Sequence, residues 1–178
     1  MMRILQIHDL SNTEAINILE KGLQSITDTN LVSNYHPDYK SDPANLFYIL
    51  KNGRFSIGNY YIAVEEDCYI ASAGWNWYQD DIALALTRAY VLPDHRQRNI
   101  MSTYFLPRIL DETTAYNRIW CTCNEYNKVI YKGFVRISNG KRAGLTNPWS
   151  DMYSKFVPIG IHTVNYTEQY VVEYKRNL

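Results

Sequence analysis

The stretch VLPDHRQRNIM, residues 91–101, joins the end of an apolar run to the start of a helical pattern. Its two arginines, Arg96 and Arg98, suit a loop that contacts phosphate. Loops of that kind usually contain glycine, because the backbone must come close to the phosphate oxygens. This stretch contains none. Three interpretations stay open at this point: a phosphate-binding loop with unusual residues, one that has lost that role, or a solvated basic turn.

The residues before this stretch alternate with a period of two, which predicts strands. Residues 60–66 and 69–78 read as a β-hairpin with a tight turn near Glu66-Asp67. Residues 82–92 are apolar for most of their length and predict a third, central strand. In the second strand, the alternation places five residues on one face: Tyr69, Ala71, Ala73, Trp75 and Trp77.

Two helices are predicted nearer the start of the chain, after a short strand over residues 2–8. Ser11 and Glu14 have capping-box spacing, and apolar residues follow at helical spacing to about Ile26. Residues 27–42 read as a loop. Asp42-Pro43 predicts the start of the second helix and Gly53 its end.

A helix is also predicted after the opening stretch, where Pro107 is expected to kink it or open it locally. Beyond it, residues 118–124 predict a strand and residues 125–131 a short helix ended by Gly133. Further strands are predicted over residues 134–137 and 167–176, with a loop over residues 138–150.

The predicted order of elements is β-α-α-β-β-β-α-β-α-β-β. Three consecutive strands joined by short turns imply antiparallel pairing, whereas a strand-helix-strand unit implies a parallel pair. The expected fold is therefore α/β (α+β), with a mixed, mostly antiparallel sheet and helices on both faces. No repeat or linker divides the 178 residues, so a single domain over residues 1–178 is expected.

Composition excludes several classes of function. Lys+Arg and Asp+Glu both number 18, so no overall field favours nucleic acid or an anionic membrane. The apolar runs are too short for a spanning helix, and the first residues lack the features of a secretory signal. An odd set of three cysteines favours a reducing, cytoplasmic setting. Cys121 and Cys123 have C-x-C spacing, but the four histidines are scattered, so buried thiols are favoured over a metal site.

The element order and two motifs resemble the GNAT superfamily of N-acetyltransferases. In that family, a strand ending in Val-x-Pro precedes Arg/Gln-x-x-Gly-x-Gly/Ala at a helix start. Here VLP (residues 91–93) precedes RQRNIM (residues 96–101), with Asn99 and Met101 at the glycine positions. Asn tolerates left-handed backbone better than most residues, whereas the Met101 side chain could crowd a phosphate. The second motif of the family is Asn at the end of the next strand, a short helix, and Tyr seven residues after the Asn, before Gly-Phe. Asn124, Tyr131 and Gly133-Phe134 reproduce it, and the resemblance covers roughly residues 2–137.

This resemblance implies acetyl-CoA as the acyl donor, bound between the strand that ends at Val91 and the strand that ends at Cys123. It also implies that Tyr131 is the general acid that protonates the leaving thiolate. Asn124 would hydrogen-bond the pantetheine, or cap the helix that follows it. The pantetheine would pair with Tyr90, Val91 and Leu92. The pyrophosphate would bind backbone N–H groups of Arg96, Gln97, Arg98, Asn99, Ile100 and Met101.

Other roles stay open. Tyr69, Trp75 and Trp77 would either line an acceptor pocket or pack in the core. The acceptor would be a small-molecule or protein amine, and the assembly can be a homodimer. Two alternatives to an acetyltransferase are a GNAT-like binding or assembly module with weakened cofactor binding, and an acyltransferase that uses another acyl donor. The groups available as a general base are Glu65, Glu66, Asp80, Asp81 and His95, and none is selected over a chain of waters.

Overall fold

The computed structural model describes residues 1–23, 58–77, 84–123, 131–132, 134–135, 155–164 and 167–176. Several predictions fall outside these residues. They are the loop over residues 27–42, the second helix from Asp42-Pro43 to Gly53, the candidate bases Asp80 and Asp81, the cofactor residue Asn124, the short helix over residues 125–131 up to residue 130 with its end at Gly133, and the loop over residues 138–150.

The chain divides into two compact units. The first contains Met1–Asn76 and Arg88–Glu112, and the second contains Trp77–Thr87 and Thr113–Leu178. Strand β4, Leu84–Val91, begins in the second unit and ends in the first.

The first unit is built on a β-hairpin. β2 (Asn59–Glu65) pairs antiparallel with β3 (Cys68–Trp77) on one side and with β1 (Arg3–Gln6) on the other. Its strand order is β1-β2-β3-β4. Glu66 and Asp67 both have positive φ, 53° and 59°, as a type I′ turn requires. The predicted hairpin and its turn at Glu66-Asp67 are therefore confirmed.

A β-bulge changes which side chains share a face of this hairpin. Ala63 pairs with Ala71 but Val64 pairs with Tyr69, so Ile70 is an extra residue in β3. Tyr69 therefore lies on the face of Val64, opposite to the face of Ala71, Ala73 and Trp75. The prediction that Tyr69 shares a face with those residues is wrong, because the alternation of residue types does not reveal the extra residue.

Helix α1, Asn12–Leu23, packs on the Val64 face. The Ser11 hydroxyl oxygen accepts a hydrogen bond from the Glu14 N–H at 3.3 Å, which confirms the predicted N-cap. The core of this face consists of buried apolar residues from residues 7–19, from β2 and β3, and from the end of β4 with the residue after it. They are Ile7, Leu10, Ala15, Ile18, Leu19, Tyr60, Ile62, Val64, Tyr69, Tyr90 and Leu92.

A helical segment follows β4 in the first unit. A 3₁₀ turn, Pro93–His95, precedes a π-helical turn, Met101–Phe105, which continues into helix α2, Leu106–Glu112. The N–H of Leu106 donates to the carbonyl of Met101, five residues back. Pro107 has no N–H and its ring crowds the preceding turn, so the widened turn before it relieves that contact. The expected local opening of the helix is confirmed.

The second unit contains the start of β4, β5 (Arg118–Cys123), β6 (Phe156–Val164) and β7 (Thr167–Lys175), in the order β4-β5-β7-β6. β4 and β5 are parallel over Leu84–Leu86, as the strand-helix-strand unit predicted. β7 pairs antiparallel with both β5 and β6. The mixed, mostly antiparallel sheet and the final strand are therefore confirmed.

Two features of the second unit differ from the sequence prediction. β6 was not predicted, because it contains Pro158 and a left-handed Gly160 (φ 101°) at a register shift. The strand predicted over residues 134–137 is wrong at its start, since Phe134 and Val135 are helical. A short apolar run does not distinguish a strand from a buried helix turn, and here the Phe134 ring packs 5.4 Å from that of Phe156.

Candidate functional site

The loop between β4 and the π turn obtains glycine-like backbone without glycine. Gln97 and Asn99 have φ values of 65° and 55°. Left-handed backbone costs an ordinary residue about 1–2 kcal/mol, and Asn pays less than most. Asn99 is therefore well suited to its position, whereas Gln97 is strained. Met101 begins the π turn, and its side chain is half-buried.

Both ends of this loop are anchored. At the start, the N–H of His95 donates to Leu92 O at 2.9 Å. At the end, the Asn99 carbonyl accepts the Thr103 N–H at 2.8 Å and the Ser102 hydroxyl at 3.1 Å. The N–H groups of a first helical turn have no carbonyl partner within the helix and carry partial positive charge. The loop therefore directs its chain into a helix start that suits an anion.

Both arginines of the loop bind protein groups. Arg96 Nε donates to Val91 O at 3.2 Å. The Arg98 guanidinium donates to both carboxylate oxygens of Glu65, at 2.7 and 3.1 Å, and lies 2.8 Å from His95 Nδ1. The hydrogen bond from Arg98 lowers the pKa of the Glu65 carboxyl. Glu65 is therefore a weaker base than an ordinary glutamate, which disfavours it as the general base.

The other residues of the first unit that were predicted to bind the cofactor have mainly backbone groups available for that contact. The side chains of Tyr90, Leu92 and Ile100 are buried. The Leu92 N–H donates to Ile70 O on β3 at 2.9 Å, and the Leu92 carbonyl accepts from His95. Because backbone groups alternate along extended chain, those of Val91 face the opposite edge, away from β3.

Tyr131 belongs to the second unit and lies in a helical segment. Its ring is half-buried, with the centroid 5.0 Å from that of Tyr170 on β7. The partner position of the same motif, Asn124, lies outside the described residues.

A polar network that the sequence did not reveal ties α2 to the hairpin. The Tyr61 hydroxyl donates to the Glu112 carboxylate, which also accepts from Asn59 Nδ2 and Trp75 Nε1, at 3.3 Å each. Arg108 Nε donates to the same carboxylate at 3.4 Å. Burial, followed by the neighbouring Glu112, raises the pKa of Tyr61, so its hydroxyl stays a donor. Trp75 thus takes part in this network. The only sign of the network in the sequence is the i,i+4 spacing of Arg108 and Glu112.

A second unpredicted network lies in the second unit around Glu173. This residue is 2% exposed, and its carboxylate accepts from Trp120 Nε1 at 2.7 Å and Arg118 Nε at 2.8 Å. Lys175 Nζ lies 3.4 Å from the other carboxylate oxygen. Burial alone would raise the pKa of Glu173, but the hydrogen bonds from Trp120 and Arg118 outweigh it and leave the pKa below its usual value.

Cys68 and Cys121 are both half-buried, and neither forms a disulfide. Within the described ranges, no three or more His, Cys, Asp or Glu side chains gather as metal ligands. None of the helices described is both long and apolar enough to span a bilayer.

Solved structures resemble this fold over nearly the whole chain. A GNAT-family acetyltransferase from Staphylococcus aureus Mu50 superposes with a TM-score of 0.53 at 15% identity, covering 98% of this chain and 99% of that one. The ribosomal-protein-S5-alanine acetyltransferase from Vibrio fischeri gives 0.58 at 11% identity, covering 99% and 93%. The PaiA N-acetyltransferase from Thermoplasma acidophilum, in complex with coenzyme A, gives 0.53 at 13% identity, covering 98% and 99%.

No family model matches the sequence, and no curated protein matches it. At identities this low, the likeness to solved structures concerns the fold. Its extent, together with the observed strand order, shows that this chain has the fold of the GNAT-family N-acetyltransferases.

Proposed function

We propose that the chain is an acetyl-CoA-dependent N-acetyltransferase, which moves an acetyl group to a primary amine by direct attack. The observation that carries the proposal is the loop after β4. It bends through two left-handed residues, Gln97 and Asn99, into a helix start, in a fold shared with a protein whose structure holds coenzyme A. A helix start of this kind binds phosphate through backbone N–H groups, so the missing glycines do not remove the site.

The proposed cofactor contacts follow from the groups that the protein leaves on that edge. The pyrophosphate would accept from backbone N–H groups of residues 97–101. The Arg96 N–H, also expected from the sequence, already donates to Pro93 O at 3.2 Å, and the side chains of Arg96 and Arg98 already bind protein oxygens. The pantetheine would lie along the edge of β4 that faces away from β3. There the N–H of Val91 is the group best oriented to donate to it, or to the oxyanion of the tetrahedral intermediate.

Chemistry at the thioester requires two proton movements. The neutral amine attacks the acetyl carbon, and collapse of the tetrahedral intermediate expels the coenzyme A thiolate. Tyr131 is proposed to give that thiolate its proton, because a phenol is a donor of suitable strength. The amine proton leaves through water, since no carboxylate or imidazole is selected as the base. The acceptor is proposed to be a small-molecule or protein amine in the cytoplasm, and a homodimer is the proposed assembly.

The first experiment measures binding and turnover together. Acetyl-CoA at millimolar concentration should raise the melting temperature of the protein, since a ligand that binds only the folded state stabilises it. Thiol release should then be followed with a panel of small amines and peptide N-termini. Absence of any thermal shift would contradict the proposal and favour a binding or assembly module. A shift only with longer acyl-CoA species would favour another acyl donor.

The second experiment isolates the role of Tyr131. Tyr131→Phe removes the proton donor but keeps the ring, so turnover should fall by about 100-fold while acetyl-CoA affinity stays within about twofold. Tyr170→Phe, which removes the hydroxyl of the neighbouring ring, is the matched control. Equal losses in the two variants would show that Tyr131 has no special role.

A further inference from the structure

A carboxylate from the β2–β3 hairpin holds the middle of the loop. Glu65 is the last residue of β2, and its two carboxylate oxygens accept from the two terminal nitrogens of Arg98. Arg98 also donates to His95 Nδ1 at 2.8 Å, and that nitrogen lies 3.8 Å from Glu65. The arginine side chain has no acceptor, so Arg98 is the donor in both contacts.

The loop needs such a contact more than a glycine-rich loop does. Arg98 lies between the two left-handed residues, Gln97 and Asn99. The hydrogen bonds of the 3₁₀ turn and of the helix start fix the two ends of the loop, but neither acts on this middle residue. A side chain forced into left-handed backbone reverts to ordinary backbone unless another contact opposes it.

Glu65 is placed to supply that contact from a rigid support. It pairs with Cys68 across the hairpin, in the last pair before the turn. The turn residues Glu66 and Asp67 have the φ values of a tight type I′ turn, which fixes the position of the pair. A bidentate carboxylate–guanidinium contact also fixes the orientation of the guanidinium plane, which a single hydrogen bond does not.

We propose that Glu65 is a positioning residue for the phosphate-binding loop. Its contact with Arg98, which His95 extends, keeps Gln97 and Asn99 in the left-handed backbone that presents the N–H groups to the pyrophosphate. The ligand part of this inference rests on the proposed function, whereas the effect on loop conformation does not.

The direction in which Glu65→Gln changes coenzyme A affinity distinguishes a positioning role for Glu65 from competition with phosphate for Arg98. If Glu65 merely competed with phosphate for Arg98, replacing Glu65 by glutamine would free a positive charge beside the ligand and tighten binding. If Glu65 positions the loop, the same replacement lets the loop relax and weakens binding. The two mechanisms therefore predict opposite changes in coenzyme A affinity.

The test compares Glu65→Gln with Asp67→Asn. The control removes a carboxylate from the same hairpin, one that pairs with Arg3 at 2.6 Å rather than with the loop, and Asn suits left-handed backbone. Hydrogen exchange of the backbone amides of residues 94–101, without ligand, should be faster in Glu65→Gln and unchanged in Asp67→Asn. Coenzyme A should bind about fivefold more weakly to Glu65→Gln, whereas pantetheine, which lacks the diphosphate, should bind equally to both.

Turnover gives a further readout that general destabilisation would not produce. In Glu65→Gln, KM for acetyl-CoA should rise while kcat at saturation stays at the wild-type value, and Glu65→Asp should restore part of the affinity. Unchanged loop exchange, tighter coenzyme A binding, or equal weakening of pantetheine would each overturn the inference. If the wild-type protein does not bind coenzyme A, the proposed function fails, and the exchange measurement still decides whether Glu65 positions the loop.

Discussion

Replacing Glu173 should lower the stability of the second unit by an amount that depends on burial. The Trp120 ring is 5% exposed, so its N–H has little access to water once the carboxylate is gone. The side chains of Arg118 and Lys175 are 46% and 45% exposed and can be rehydrated. A buried donor left without its acceptor costs about 2 kcal/mol, and two partly exposed ion pairs add about 1 kcal/mol. Glu173→Ala should therefore lose about 3 kcal/mol, and Glu173→Gln, which keeps one acceptor oxygen, about half of that.

The same network makes part of this stability depend on pH. The folded protein holds the pKa of Glu173 below its value in the unfolded chain, so the unfolded state binds the proton more tightly. The contribution of the carboxylate is complete above the unfolded pKa, about 4.3, and disappears as the pH falls through the folded pKa. The stability difference between wild type and Glu173→Gln should accordingly shrink below pH of about 4.

Urea unfolding followed by circular dichroism measures both effects. Glu168→Gln, which removes an exposed carboxylate from the same strand, is the matched control and should change the free energy of unfolding by less than about 0.5 kcal/mol. Glu173→Ala and the control unfolding at the same urea concentration would refute the argument from burial. A wild-type advantage over Glu173→Gln that stays constant down to pH 3 would refute the argument from the pKa.

Three further substitutions test the hairpin and the loop. Gly74→Ala would place a Cβ 2.4 Å from the Tyr60 ring, so it should destabilise the protein by about 2 kcal/mol in urea unfolding. Asn99→Ala should cost about 1 kcal/mol because alanine is poor in left-handed backbone, whereas Asn99→Gly should stay within about 0.5 kcal/mol of wild type. Met101→Gly should tighten coenzyme A binding in calorimetry by removing a side chain beside the helix start. Tyr104→Gly, with the same loss of helix propensity at an exposed site, should leave that affinity unchanged.

Local signals predicted most of the elements. Ser11 caps α1, the positive φ values at Glu66 and Asp67 form the hairpin turn, and Pro107 opens the helix before it. Each of these features leaves a signal within a few residues: a capping side chain at Ser11, strand alternation on both sides of Glu66-Asp67, and a proline ring at Pro107. The sequence therefore locates each feature.

The errors arose where register or long-range packing decides. Nothing in the alternation of β3 marks Ile70 as an extra residue, because the bulge is defined by its pairing with β2. β6 was not predicted because it contains Pro158 and Gly160. The sheet tolerates these two residues at the register shift. The apolar run that begins at Phe134 suits a strand, but Phe134 lies in a helical turn and its ring packs on Phe156 of β6. Trp120 and Arg118, which donate to Glu173, are likewise 53 and 55 residues away in the chain.

The loop between β4 and the π turn contains one feature that a local signal predicts and one that depends on long-range packing. Asn99 could be interpreted from the sequence, because its side chain suits the left-handed backbone it adopts. The role of Arg98 could not, because its carboxylate partner Glu65 lies 33 residues earlier, on a hairpin end that only the fold brings close. The sequence therefore suggested an arginine that binds phosphate, whereas the structure shows one already balanced by a carboxylate.

This balance changes how the absence of glycine should be understood. A glycine adopts left-handed backbone without strain but also leaves the loop free to move, since it loses the most conformational freedom on ordering. A residue with a side chain in the same position is strained in the folded protein, and it needs a contact such as Glu65–Arg98 to hold it in that conformation. Under the proposed role of Glu65, the loop is ordered before any ligand arrives, so less conformational entropy is lost on binding. A loop without glycine in this fold is therefore compatible with phosphate binding when an ion pair to a rigid neighbour holds its residues in the left-handed backbone that glycine adopts without strain.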